Sequence, residues 1–152
     1  MKAVIQRIKY ADVCVDGKEI SRVGNGLLVL LGVHNTDNEE TAKLLAKKCA
    51  NLRIFTDEND KMNKSVLDIN GEILVISNFT LCADTKKGNR PSFIEAMEPK
   101  TADELYNLYC EELNLNGVKK VGRGVFGADM KVSLLNDGPV TIILDTDTWS
   151  KK

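Results

Sequence analysis

With 152 residues, a formal net charge of −1 at pH 7 and 28% charged residues, the chain fits one domain, residues 1–152, that buries roughly 70% of the surface its unfolded form exposes. The near-neutral balance argues against a protein that coats nucleic acid nonspecifically. Cys14, Cys49, Cys82 and Cys110 lack any paired spacing and His34 is the single histidine, so no zinc set, metal or cofactor is implied and the thiols read as buried groups in a reducing compartment.

The opening Ala3-Val4-Ile5 is too short for a signal-peptide core, and no apolar run approaches the roughly 20 residues of a membrane helix. A soluble, cytoplasmic protein is expected. Val13-Cys14-Val15 runs into Asp16-Gly17, a hairpin signal, and Glu19 to Val23 returns from it. Leu27 to Val33 is apolar on both faces, as in a strand at the centre of a packed sheet.

Asp37 and Glu40 have capping-box spacing, and Ala42, Leu45, Cys49 and Leu52 recur at helical intervals, which predicts a helix over about 38–51. Thr101 and Glu104 repeat the signature after Pro99, and Leu105, Leu108, Tyr109 and Leu113 form the apolar stripe of a second helix. Between the helices Glu72 to Ile76 reads as a strand. After them Met130, Val132 and Leu134 alternate with Lys131 and Ser133, Asn136-Asp137-Gly138-Pro139 interrupts, and Val140 to Leu144 begins a final strand. Strand-rich halves with two inserted helices argue a mixed α/β domain, its β-sheets packed on each other with helices on an outer face.

Two segments stand out against this background. Ser77-Asn78-Phe79-Thr80-Leu81 and Asn136-Asp137-Gly138-Pro139-Val140-Thr141 each adjoin an apolar run, so each is expected to set small polar groups and free amides at a strand end. From the residues alone, Ser77 to Thr80 also fits an ordinary strand edge, Phe79 a core aromatic, Arg7 a surface ion-pair former and Met130 a flexible core filler. Lys86, Lys87 and Arg90 form one basic cluster, Lys119, Lys120 and Arg123 a second, and a charge cluster is commonly just a solvated face.

Ser77 to Leu81 with its continuation through Ala83 to Phe93, the segment Gly124 to Met130 with Asn136 to Thr141, and the opening Met1 to Arg7 together resemble the D-aminoacyl-tRNA deacylases, in order and end to end. The resemblance implies hydrolysis of the ester of D-aminoacyl-tRNA, and of mischarged glycyl-tRNA, with L-aminoacyl-tRNA rejected. It further implies a homodimer in which each site borrows its neighbour's Gly138-Pro139, held by Arg7 and Met130. An X-Pro bond is by default trans; the resemblance implies cis, with the carbonyls facing the neighbour's pocket so that an L side chain is excluded sterically. It also moves the basic clusters towards contact with an RNA acceptor end, and terminal bases often lie against aromatic side chains such as Phe79.

An aminoacyl ester is already reactive, so positioning and a stabilised oxyanion matter more than a strong protein base. The amides of Phe79 and Thr80 are the candidate donors. The Thr80 hydroxyl lacks an evident activating base, which favours a positioning role with ribose-assisted attack of water over direct nucleophilic attack. Asn78 departs from the family's usual glutamine and shortens the amide's reach by a methylene. Two rivals are a broad esterase, against which the absence of GxSxG and a Ser/His/Asp set counts, and a noncatalytic nucleic-acid-binding module built on the basic clusters.

Overall fold

The computed structural model describes residues 1–149. Its framework is a six-stranded sheet formed by β1 (Lys2–Val15), β2 (Lys18–Val23), β3 (Gly26–Gly32), β6 (Glu72–Ser77), β7 (Val121–Arg123) and β8 (Lys131–Asp145). The order is β2-β1-β3-β6-β7, and β8 pairs with β1 along the other edge. A two-stranded ribbon, β4 (Phe55–Thr56) and β5 (Met62–Lys64), lies apart. Helices α1 (Glu39–Asn51) and α2 (Pro99–Leu115) complete the mixed α/β architecture. Among the described residues no helix is long and apolar enough to cross a membrane.

The central strands explain themselves by alternation. On β3 and β6, Leu27, Val29, Leu31, Ile73 and Val75 face the helices, where Leu45, Cys49, Leu105, Tyr109 and Leu113 meet them. Leu28, Leu74 and Ile76 face the other way, into a second core with Ile8, Val13 and Val23. Two cores on opposite faces of one sheet require both faces of β3 and β6 to be apolar, which is why their sequences read as unbroken runs. The sheet curls towards a barrel: a Cβ placed on Gly122 of β7 would come within 2.4 Å of Ser21 Oγ on β2. Sheet-on-sheet packing is thus achieved within a single curved sheet.

Several local expectations are corrected. The α1 cap is Asn38, one residue on from Asp37, and its box partner is Thr41 rather than Glu40. Asp37 instead accepts from the backbone of His34 at 2.7 Å and the Met1 ammonium at 2.6 Å. The α2 cap is Glu98, whose carboxylate takes the Lys100 and Thr101 amides; Pro99 follows at the first helical position and Thr101 lies inside the helix. A glutamate cap places negative charge at the positive helix end, which stabilises it as the usual small caps do. Neither β4, β5 nor β7 has a pattern long enough to show in the sequence.

The largest correction concerns Asn136 to Pro139. They do not end a strand; β8 runs through them as one 15-residue strand. Pairing passes from Ile8↔Asn136 to Gln6↔Thr141, so Arg7 alone stands opposite residues 137–140. The surplus is thrown outwards as a wide bulge.

Candidate functional site

The first motif sits where β6 ends. Ser77 pairs in parallel with Leu31, the Asn78 amide donates to Leu31 O at 2.8 Å, and the chain then turns through a short 3-10 segment, Phe79–Cys82. The opening amides of such a turn have no acceptor inside it, and among the described residues those of Phe79 and Thr80 have no backbone or side-chain acceptor elsewhere. Asn78 does not cap the turn; its Oδ1 accepts instead from the Thr80 hydroxyl. Shortened though it is, the Asn78 side chain holds Thr80 and leaves the Phe79 and Thr80 amides open.

Gly32 is what allows the turn to lie so close. A Cβ there would stand 2.9 Å from Leu81 Cβ and 3.3 Å from Asn78 O. This residue was hidden inside an apolar run. A glycine within a strand pattern is itself the signal for a close backbone approach.

Beside the turn opens a cavity of about 890 Å³. Leu31, Ile76, Phe93, Met97 and Phe126 supply its apolar lining, with Ser77, Asn78, Glu98 and Asp129 as polar members. Phe79 and Met130 line it as well. Phe79 is 59% exposed, so it is not a core aromatic; its ring meets Phe93 edge to face at 5.0 Å. Thr80 lies exposed just past the lining residues. His34 does not line the cavity, so no imidazole base faces it.

The last residue of the turn carries a thiol. Cys82 is buried, its Sγ 3.5 Å from Val33 O, and burial pushes its pKa up to about 11. Cys49 and Cys110 are likewise held to about 12 by burial. All four cysteines are free, and Cys14 alone is only half-buried. Among the described residues no cluster of histidine, cysteine and carboxylate groups is arranged to hold a metal.

The second motif is built just as firmly, but elsewhere. Arg7 donates from Nε to Asp137 O at 3.0 Å and from Nη1 to Ile54 O at 2.8 Å, and its guanidinium lies 3.5 Å from the Asp137 carboxylate. Asn136, which no sequence signal singles out, donates from Nδ2 to Arg7 O at 2.9 Å and to Val140 O at 3.1 Å, spanning the bulge. Gly138, at φ +133°, and Pro139, joined to it by a cis bond, are presented outwards and exposed.

Neither Arg7 nor residues 136–140 line the 890 Å³ cavity of their own chain. The structure therefore brings together Ser77, Asn78, Phe79 and Met130, and separately Arg7, Gly138 and Pro139. Met130 stands with the first group: it lines the cavity, and its Sδ would lie 2.6 Å from a Cβ on Gly124.

Comparison with known proteins shows the family and the fold. Residues 4–145 match the family described as D-Tyr-tRNA(Tyr) deacylase. A D-aminoacyl-tRNA deacylase of Parabacteroides distasonis is 54% identical over 146 residues, covering 96% of this chain and 97% of the relative. Its counterpart in Thermosipho africanus is 56% identical over 149 residues, with coverage of 96% and 97%. Among solved structures, a c-Myc DNA unwinding element binding protein is similar at TM-score 0.90 and 44% identity, over 95% of this chain and 98% of that one. A probable eukaryotic D-amino acid tRNA deacylase shares the fold at TM-score 0.81 and 17% identity, over 94% and 97%.

Proposed function

We infer the reaction from one premise: this chain belongs to the D-aminoacyl-tRNA deacylase family. It hydrolyses the ester between a D-amino acid and the terminal ribose of tRNA, and it spares the L ester. Glycine, lacking a side chain to be rejected, is released too. The working unit is one domain, residues 1–152, acting on tRNA in the cytoplasm.

The observation that carries the mechanism is the pair of open amides at Phe79 and Thr80 on the rim of an apolar cavity. Two donors fixed before substrate arrives stabilise the oxyanion without reorganising, and such donors contribute most where water is excluded. The neighbouring ribose hydroxyl assists water in attacking the carbonyl. The Thr80 hydroxyl donates its proton to Asn78 Oδ1, a neutral amide oxygen and not an activating base. Its part is to hold the turn.

Specificity comes from the second motif across a homodimer. What supports this is the separation of Gly138 and Pro139 from their own chain's cavity, together with their outward, clamped presentation. In the dimer each bulge closes the partner's cavity and leaves no room for an L side chain. Phe79, Val125 and Leu135 are large apolar side chains exposed on the same molecule, and such side chains are ones an assembly can cover.

The experiment is Thr80→Ala, which removes the hydroxyl and keeps the amide. Single-turnover deacylation of D-tyrosyl-tRNA is expected to fall by less than about tenfold, whereas deleting a covalent nucleophile costs on the order of 10⁴ or more. A loss of that larger size in a folded, tRNA-binding variant contradicts the backbone mechanism. A nucleic-acid-binding module without catalysis has one observation in its favour, the name of the 44% identical structure. Salt-sensitive binding of duplex DNA with no ester turnover would select it.

A further inference from the structure

The two basic clusters, equal in the sequence, are unequal in the fold. Lys120, though exposed, lies 3.8 Å from Glu72, and Arg123 donates to Asn107 at 3.0 Å, so two of the second cluster's three cations have partners and only Lys119 stands exposed without one among the described residues. Lys86, Lys87 and Arg90 are exposed, and among the described residues none of them is in an ion pair. Their loop is nevertheless built. Asp84 and Ser92 exchange two backbone bonds of 2.8 and 2.9 Å, and the Asp84 carboxylate takes the Lys86 amide at 2.9 Å, which fixes the loop's entry. The residue after Ser92 is Phe93, whose ring packs on Phe79 at 5.0 Å. Three cations without carboxylate partners are therefore strapped to the aromatic pair beside the open amides, and Arg90 lies within about 10 Å of Phe93 by chain length alone.

We propose that the loop Thr85–Pro91 is a phosphate clamp, and that Lys86, Lys87 and Arg90 bind the backbone of the single-stranded 3′ end of tRNA just before the esterified nucleotide. This rests on the deacylase activity inferred above and assigns where its substrate's charge is read. The cavity takes apolar parts of the substrate; the loop takes the anionic chain leading to it. Phosphate contacts of this kind fix register without reading sequence, which suits an enzyme that must accept many tRNAs.

The test uses the salt dependence of kcat/KM on D-tyrosyl-tRNA. Each single-strand phosphate contact adds about 0.7 to the slope of log K against log salt, so K86Q/K87Q/R90Q lowers the slope by about 2. Between 0.05 and 0.2 M salt the wild type then loses roughly 20-fold more activity than the variant. K43Q/K47Q/K61Q removes the same charge from other exposed positions and keeps the wild-type slope. The ratio of kcat/KM for D-tyrosyl-tRNA to that for D-tyrosyl-adenosine, an ester with no phosphate, falls in the loop variant alone. An unchanged slope in K86Q/K87Q/R90Q, or an equal drop in the control, overturns the clamp while the deacylase activity stands. A wild type that leaves D-tyrosyl-tRNA intact overturns both.

Discussion

Gly32→Ala is expected to lower kcat on D-tyrosyl-tRNA by about 100-fold, with much less change in KM. The added methyl would meet Leu81 Cβ at 2.9 Å and Asn78 O at 3.3 Å. Neither atom is the free end of a flexible side chain, so relief requires the turn itself to move off β3. That turn carries the Phe79 and Thr80 amides, and a displacement approaching 1 Å at a positioned group costs on the order of 10² in rate. Substrate binding draws on the cavity as a whole and suffers less. Rapid-quench kinetics separate the two parameters, and circular dichroism with a thermal melt shows whether the variant folds. A folded Gly32→Ala protein with kcat within threefold of wild type would contradict the assignment of the oxyanion site to this turn.

Gly138→Ala acts on the other half of the site, with an expected fall of about 100-fold in kcat/KM on the D ester. At the φ of +133° found here an L residue is strained, typically by about 1–3 kcal/mol. The new Cβ would also stand 2.8 Å from Val140 Cγ2 and 3.0 Å from both Val140 N and Arg7 Nη2. Relief comes most easily by withdrawal of the Arg7 guanidinium, which breaks its bond to Asp137 O and frees the bulge. The bulge is on the surface, so folding survives. Steady-state rates on matched D- and L-tyrosyl-tRNA read the outcome, and unchanged rates on both would remove Gly138 from the specificity element.

Much of this architecture was legible because both faces of β3 and β6 are buried and both helices carry one apolar stripe, patterns dictated by burial itself. The Asp16-Gly17 hairpin was equally clear, since its turn chemistry is local. The helix caps were misplaced by one to three residues because Asp37, Asn38, Glu98 and Thr101 are all able to accept or donate at a helix start, and long-range partners decide among them. Asp37 is taken by Met1 and His34, which leaves the cap to Asn38.

The bulge at 137–140 looked like a strand break because Asn-Asp-Gly-Pro has turn composition. Only the pairing with β1, some 130 positions away, reveals that the strand continues around Arg7. Gly32 and Asn136 were missed for the same reason: their partners, Leu81 and Arg7, are brought to them by the sheet. The candidate residues themselves came from resemblance, since neither composition nor periodicity distinguishes Ser77 to Thr80 from any strand edge. What the structure adds is their division into two groups that one chain does not unite.

Open amides and a steric bulge, rather than a side-chain base, are proposed to make this chain a chirally selective esterase. Release of amino acid from matched D- and L-tyrosyl-tRNA by the purified protein, with a chelator present and spontaneous hydrolysis subtracted, tests it most directly. Rapid loss of the D ester with the L ester surviving at its spontaneous rate is the predicted result. Cleavage of both esters, or of neither, would contradict it.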